Sequence, residues 1–204
     1  MSGLTSPARS WFDLGLTPRE LEKCPDVREW LGEIKRCLEE AFSASNVYST
    51  LHTFYQEIAV FGTAAFLLEE DPQKGIRCRP FTIGEYSLGT DALGRVNRFG
   101  REFFLTAPQM QESFGLKNLP PAIRQDAAQN RPARYHKILH LIFPNPEFSK
   151  ECLDNLHMAY SSVYLTETGH LLRQSGYREF PVIAARWEVK QSADAYGRGP
   201  GLLR

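Results

Sequence analysis

The amino-acid sequence predicts an α+β fold, in which an N-terminal pair of helices packs on a mostly antiparallel sheet with short inserted helices. Apolar residues recur at helical spacing up to Gly62, and strand-like segments follow one another after it. This grouping argues against a doubly wound parallel sheet, where helices and strands alternate strictly. We expect residues 1–204 to form a single α+β region, with residues 1–62 mainly helical and residues 63–204 rich in strands.

The helical part is predicted to contain one short helix and two long ones. Thr17-Pro18-Arg19-Glu20 has the composition of a capping box with proline at the first helical position, which predicts a short helix. A second helix is expected from about Pro25 to Ser43, where apolar residues share one face. Asn46 is a suitable N-cap for a third helix, which Gly62 ends. The two long helices are expected to pack as an antiparallel pair.

Extended segments dominate the rest of the chain, with glycine and Asp-Pro chemistry in the turns between them. Two short helices interrupt the strands, one running from Thr106 to Gly115 and the other from Pro120 to Asn130. The predicted strands cover residues 64–69, 75–81, 86–90, 96–105, 134–143, 160–165 and 180–187.

Charge and composition are those of an ordinary globular protein. The chain has 24 basic and 24 acidic residues, so it lacks the bulk positive charge of a non-specific polyanion binder. No apolar run reaches the roughly 18 to 20 residues that span a bilayer, and the start of the chain has no apolar core of a signal peptide. Cys24, Cys37, Cys78 and Cys152 lack zinc-site spacing, so we interpret them as reduced structural thiols.

The sequence contains no motif for a phosphate-binding loop, a zinc protease or a nucleophile elbow. His136 and His140 stand four residues apart, but on a strand this spacing separates them by more than about 10 Å, so a shared metal site is not expected. The acids Glu69, Glu70 and Asp71 lie at a turn, where we expect them to be solvated. We therefore assign no catalytic, cofactor-binding or metal-binding residue and expect no cofactor.

Five arginines alternate with aromatic and apolar residues over the predicted sheet, so several are expected to project from one face. Such a band would suit either phosphate groups or salt bridges between subunits. Because the net charge is zero, the salt-bridge interpretation is favoured. The five are Arg77, Arg79, Arg95, Arg98 and Arg101.

Several short segments, none of them catalytic, follow one another along the chain in a characteristic order. They are Leu4-Thr-Ser-Pro-Ala-Arg-Ser-Trp-Phe12, Asn46-Val-Tyr-Ser49, Phe61-Gly-Thr-Ala-Ala65, Arg79-Pro-Phe-Thr-Ile-Gly-Glu-Tyr86, Ser175-Gly-Tyr177 and Gly197-Arg-Gly-Pro200. Together they resemble the portal, or head-to-tail connector, proteins of short-tailed bacteriophages. The resemblance implies a structural virion protein and not an enzyme: a subunit of a ring, commonly dodecameric, at the capsid vertex through which double-stranded DNA is packaged and ejected.

The resemblance also implies the partners and the location of the protein. A portal ring contacts capsid protein, terminase and tail adaptor proteins, and DNA passes through it without being read for sequence. In this family the packaging ATPase belongs to terminase. The absence of a phosphate-binding loop from this sequence agrees with that division. The protein is expected in the virion, and in the host cytoplasm during assembly, with no membrane partner.

Family members are longer and continue after the Tyr196-Gly-Arg-Gly-Pro200 turn into long channel-lining helices. We therefore expect this chain to be the peripheral, wing-like part of a portal subunit, as a fragment, a truncated prophage gene product or one piece of a split gene. In isolation it is expected to be a monomer or a weak oligomer. Two alternatives stay open: a small phage-encoded nuclease with a metal bound at residues 69–71, and a free-standing nucleic-acid-binding module.

Overall fold

The computed structural model describes residues 5–129, 134–152, 154–191 and 193–202. These residues divide into two compact units. The first contains residues 5–81, 182–187 and 198–202, and the second contains residues 82–181 and 188–197. The second unit is therefore inserted into the first along the chain. The expectation that residues 1–204 form a single region stays a prediction.

The first unit combines two helices with a three-stranded antiparallel sheet, and this arrangement confirms the predicted α+β class. Its elements are α1 (Pro25–Ala44), α2 (Val47–Phe61), β1 (Thr63–Asp71), β2 (Gly75–Phe81) and β8 (Val182–Arg186), with strand order β2-β1-β8. The amphipathic helix α2 packs on β1 and β2 because its apolar side chains recur every three or four residues. The resulting core contains Val47, Phe54, Ile58, Ala64, Phe66 and Cys78.

Two predicted helix starts differ in their chemistry from the expectation. The segment after Thr17 is a short 3₁₀ helix, Arg19–Lys23, whose N-cap position is Pro18, so the predicted capping box is wrong. Glu22 instead accepts a hydrogen bond from the Leu16 N–H at 2.7 Å. Asn46 does occupy the N-cap position of α2, but its side chain makes no capping hydrogen bond, because it is engaged elsewhere.

Gly62 is the point at which four segments of the first unit meet. It ends α2 in the left-handed conformation, with φ of 78°, and β1 begins at the next residue. Its carbonyl accepts a hydrogen bond from the N–H of Trp187, just after β8, at 2.8 Å. The backbone of Gly199 lies so close that a Cβ added there would be 2.6 Å from the Gly62 nitrogen. Both glycines are therefore required by packing and not only by turn geometry.

The second unit is an antiparallel meander of five strands with two short helices. Its elements are β3 (Tyr86–Thr90), β4 (Val96–Thr106), α3 (Ala107–Phe114), α4 (Pro121–Ala128), β5 (Tyr135–Pro144), β6 (Tyr160–Thr166) and β7 (Leu171–Tyr177), with strand order β3-β4-β5-β6-β7. Strand residues alternate between the two faces of the sheet. One face forms a core with the helices, which includes Met110, Phe114, Leu119, Ile123, Ile138, Tyr164 and Leu172.

Most predicted elements of the second unit are confirmed. Thr106 and Gln109 form the reciprocal hydrogen bonds of a capping box at the start of α3, and Gly115 ends that helix. The sequence pattern does not indicate β7 as a separate strand. Its sequence, Leu-Leu-Arg-Gln-Ser-Gly-Tyr, is largely polar because β7 is the last strand of the sheet, so it lacks the apolar alternation by which interior strands are found. The end of the predicted α4, at Asn130, lies outside the described residues.

We expect the substitution Gly199→Ala to destabilise the first unit by about 1–3 kcal/mol, because the new Cβ would overlap the Gly62 backbone. Urea unfolding followed by tryptophan fluorescence measures this unit selectively, since Trp11, Trp30 and Trp187 all belong to it. The matched control is Gly32→Ala in α1, where a Cβ would meet no atom within 4 Å. That control should stabilise the helix by about 0.5–1 kcal/mol. Equal effects of the two substitutions would contradict the packing role of Gly199.

Candidate interaction surfaces

A row of polar and aromatic side chains crosses all five strands of the second unit. The strand register places Tyr86, Arg101, His140, Tyr164 and Arg173 as successive cross-strand neighbours. The rings of His140 and Tyr164 stack with centroids 3.9 Å apart. The Arg173 guanidinium lies 4.7 Å from the centroid of the Tyr164 ring. We call these five residues the cross-strand ladder; from Arg101 to Arg173 its side chains contact one another across the strands, in addition to the backbone hydrogen bonds.

Hydrogen bonding assigns the tautomer of His140, which is fully buried. Arg101 Nε lies 3.3 Å from His140 Nδ1, and because a guanidinium nitrogen can only donate, Nδ1 is the acceptor. The proton of the neutral ring is then on Nε2, which donates to the Ser162 hydroxyl at 3.1 Å. The buried imidazole is thus fully satisfied by protein groups. Its role is structural, and it is not available to a ligand.

A cleft of about 320 Å³ lies beside α4, β5 and the end of β6. At its base the Asp126 side chain is 8% exposed, and its Oδ2 lies 3.4 Å from Arg134 Nη1 and 3.5 Å from His136 Nε2. Burial of the His136 ring lowers its pKa. The negative charge of Asp126 acts in the opposite direction, and the positive charge of Arg134 lowers the pKa further. Among the described residues no group of three or more His, Cys, Asp and Glu side chains is placed to hold a metal ion. Asp126 of α4 thus approaches His136 of β5, whose buried Nε2 makes no hydrogen bond among the described residues.

The two histidines of β5 have different partners. His136 faces Asp126 on α4, whereas His140 belongs to the cross-strand ladder. Their even spacing does place them on one face of the strand, as the sequence indicates. The structure does not bring them together.

The acidic turn of the first unit is explained by local structure. Asp71 accepts hydrogen bonds from the N–H groups of Gln73 and Lys74 at 2.8 and 3.1 Å, and these bonds hold its pKa below the usual range. Glu69 forms an ion pair with Arg79 at 3.1 Å. Two of the three acids thus have protein partners, and nothing in the turn supports the nuclease alternative.

The five arginines do not form one band. Arg77 and Arg79 share a face of β2, in the first unit, while Arg98 and Arg101 lie in the second unit. Arg98 and Arg101 are three residues apart on β4 and therefore point to opposite faces. Only the pair on β2 fits the prediction of a common face. Sequence spacing alone could not show that β2 and β4 belong to different sheets.

Side chains occupy part of two sheet edges. In the first unit, Asn46 Nδ2 donates to the Cys78 carbonyl at 2.6 Å and Asn46 Oδ1 accepts from the Cys78 N–H at 2.8 Å. The amide thereby pairs with β2 as a neighbouring strand would. In the second unit, the Tyr196 hydroxyl accepts from the Leu88 N–H of β3 at 3.0 Å and donates to the Tyr86 carbonyl at 3.4 Å. Occupied edges cannot pair with another strand at these positions.

The face of the five-stranded sheet away from the helices carries apolar side chains that solvent reaches. Phe104 is 61% exposed, and Leu141 and Leu171 are 36% and 46% exposed. On the same face, Glu102 and Lys137 pair at 2.6 Å, which raises the lysine pKa and neutralises both charges. We call this surface the open sheet face. It consists of Leu139, Leu141, Val163, Leu165, Leu171 and Phe104, and the Glu102–Lys137 pair lies between Phe104 and the other five.

In the first unit, α1 also has an accessible apolar surface. It is strongly amphipathic, yet none of its 20 residues is fully buried. Trp30 is 52% exposed and Cys37 is exposed, while Ile34 and Ala41 are half-buried. These four residues lie on one side of the helix because they are spaced by three or four positions. We call them the α1 strip. The described helices include none long and apolar enough to cross a membrane.

Comparison with known proteins identifies the family of this chain. Residues 1–203 match the family model described as bacteriophage head to tail connecting protein, and the chain belongs to this family. It is 37% identical over its whole length to the portal protein of Salmonella phage epsilon15, and 33% identical over 99% of its length to the probable portal protein of Bordetella phage BPP-1. The chain spans 37% of the length of each of these relatives.

We expect Asn46→Ala to cost about 1–3 kcal/mol of stability in the first unit, because two hydrogen bonds are lost and the Cys78 backbone is left unpaired. Asn46→Asp is the informative companion variant. It retains the acceptor for the Cys78 N–H but replaces the donor to the Cys78 carbonyl with a second oxygen. The aspartate should therefore not rescue the alanine, although aspartate is as good an N-cap as asparagine. Full rescue, measured by urea unfolding with tryptophan fluorescence, would show that Asn46 acts only as a cap.

The lowered pKa of His136 predicts a pH dependence of stability in the second unit. Between its folded-state pKa and its ordinary value of about 6.5, the unfolded state binds more protons. The stabilisation is therefore complete above about pH 6.5 and is lost as pH falls through the folded-state pKa. Proton NMR should show the His136 ring titrating below the ordinary value. A ring titrating above about 6.5 would contradict the desolvated site.

His136→Gln should reduce the difference in unfolding free energy between pH 7.5 and pH 5, because it removes the contribution of the His136 titration. His52→Gln, at an exposed position on α2, is the control and should leave that contribution of His136 unchanged.

Proposed function

We propose that the chain is part of the subunit of a phage portal, the head-to-tail connector ring at the capsid vertex through which DNA is packaged and ejected. The observation that carries this proposal is the match to the connector family along residues 1–203, with portal relatives aligned over nearly the whole chain. The segments that carry the resemblance coincide with structurally constrained positions. Asn46 clamps β2, and Gly62 and Gly199 are in backbone contact.

The proposed partners follow from this role. Identical subunits form the ring, capsid protein surrounds it, terminase docks during packaging, and tail adaptor proteins bind afterwards. Double-stranded DNA passes through without sequence-specific contacts. The location is the virion, and the host cytoplasm during assembly. A zero net charge suits a protein beside moving DNA, because it gives no strong non-specific attraction to phosphate.

The subunit is proposed to be structural and not enzymatic. The acidic turn is engaged in local hydrogen bonds and an ion pair. His140 is buried and fully hydrogen-bonded, and Asp126 of α4 lies beside His136 of β5. The acidic turn and His140 thus have structural explanations, whereas the buried Nε2 of His136 makes no hydrogen bond among the described residues.

Deletion of the encoding gene from its phage or prophage tests this function. We expect induced lysates to contain capsid shells without packaged DNA, as seen by electron microscopy and by nuclease-protected DNA, because a head without its portal cannot dock the packaging motor. Complementation with the intact gene should restore filled heads. Deletion of a tail-fibre gene is the control, since it should leave packaging intact. Filled heads in the deletion strain would refute the proposal.

A further inference from the structure

The helix α4 is held in the second unit by few buried side chains. Among its eight described residues only Ile123 and Asp126 are buried, and the helix packs mainly on α3. Isolated helices shorter than about 12–15 residues are marginal in water, so α4 depends on its packing. Its position on the sheet therefore rests on two side chains. Ile123 belongs to the apolar core of the unit, and Asp126 is a carboxylate.

Asp126 lies beside a histidine nitrogen that lacks a hydrogen bond. His136 Nε2 is buried and makes no hydrogen bond among the described residues. The nearest carboxylate oxygen, Asp126 Oδ2, is 3.5 Å away, and the same oxygen lies 3.4 Å from Arg134 Nη1. The His136 side chain is only 14% exposed, so little water reaches the ring in place of the missing partner. A neutral ring costs less in such a place than a charged one.

We propose that α4 is an acid-released cover: when His136 takes up a proton, α4 separates from the five-stranded sheet and uncovers the core to which Ile123 belongs. An imidazolium needs acceptors for both of its N–H groups. The cleft of about 320 Å³ beside α4 and β5 is the route by which water reaches the ring once the helix moves. The inference concerns the second unit alone and does not depend on the portal role.

The charges around the ring do not offset its burial. The charged side chains near it are Asp126 on α4, Arg134 and Lys137 in the β5 segment, and Glu167 after β6. Lys137 already pairs with Glu102 of β4 at 2.6 Å. Across the strands, the neighbour of His136 is the apolar Leu105. Asp126 attracts an imidazolium, but Arg134 repels it and shares the same carboxylate oxygen.

The other charged residue of α4 is directed away from the ring. Arg124 donates hydrogen bonds to the carbonyl oxygens of Leu119 and Lys117, both at 2.7 Å. It therefore holds the start of α4 to the segment before it. Separation of α4 from the sheet leaves these bonds within one stretch of the chain intact.

Proton linkage gives the direction of the effect. In the closed state burial is the largest influence on His136 and lowers its pKa, whereas a solvated ring has its ordinary pKa of about 6.5. The open state therefore binds more protons below about pH 6.5, so acid favours opening. Between pH 7.5 and pH 5 the opening equilibrium increases by at most about thirtyfold, which is the limit for a closed state that binds no proton.

Hydrogen exchange measured by mass spectrometry on the full chain tests the opening. Exchange of a peptide covering residues 119–128 is compared at pH 7.5 and pH 5 after division by the intrinsic rate at each pH. We expect the protection of α4 to fall by between about threefold and about thirtyfold at pH 5. A peptide covering residues 160–166 of β6 reports opening of the whole unit. At both pH values α4 should be at least about tenfold less protected than β6, because local opening costs less than global unfolding.

Two results with the unmodified chain would overturn the proposal. One is protection of α4 that does not change between pH 7.5 and pH 5. The other is protection of α4 equal to that of β6, since α4 would then open only when the whole unit unfolds.

Variants identify the group that takes up the proton. His136→Gln should abolish the acid-induced loss of α4 protection, while the exposed-site control His52→Gln should retain it. Persistence of the response in His136→Gln would exclude His136 as its source. Asp126→Asn provides an independent variant: the Asp126 charge raises the pKa of His136, so its removal should leave the acid response in place or increase it. If α4 of this variant is protected at pH 7.5 but no longer responds to acid, the titrating group is Asp126 and the proposal is wrong.

Discussion

The first unit depends on the close approach of two backbones at Gly62 and Gly199. No side chain larger than hydrogen fits between them. At this point α2 ends, β1 begins, the residue after β8 donates its hydrogen bond to Gly62, and residues 198–202 pack against the end of α2. Segments far apart in sequence are thereby fixed to one another by geometry and not by a large apolar area. Residues 198–202 consequently belong to the framework of the unit.

The second unit is organised by a different constraint, which is the contrast between the two faces of its sheet. On the helix-covered face the cross-strand ladder aligns one residue from each of the five strands, and its buried His140 is hydrogen-bonded to Arg101 and Ser162. Its hydrogen bonds and ring stacking make lateral shear of the strands costly, since a shift of register would separate every pair at once. The open sheet face is apolar at its centre and has no comparable row of buried polar side chains among the described residues. The two faces thus differ: one is held by buried polar contacts, and the other keeps apolar side chains within reach of solvent.

Much of the fold could be predicted from the sequence because it rests on local periodicity. Both long helices, the capping box at Thr106 and most strands follow from residue spacing and turn chemistry. The failures concern residues whose partners are distant in sequence. The position of Asn46 before an amphipathic helix indicates an N-cap, yet its side chain forms hydrogen bonds with the backbone of Cys78, 32 residues away. Arg101 and His140 are 39 residues apart, so their contact appears only once the strand register is known. For the same reason the five arginines could not be assigned to two sheets.

The family is recognisable from short segments along the chain, and the structure gives a physical reason. The segments that carry the resemblance include the Asn46 clamp, the Gly62 junction and the Gly199 contact, where few residue types fit. Assembly surfaces differ in this respect, because an apolar side chain there can be exchanged for another of similar size at low cost. Family membership is therefore visible in the framework residues. The open sheet face differs from them: its apolar members come from four strands and share no sequence motif, so it is found only from exposure and strand register.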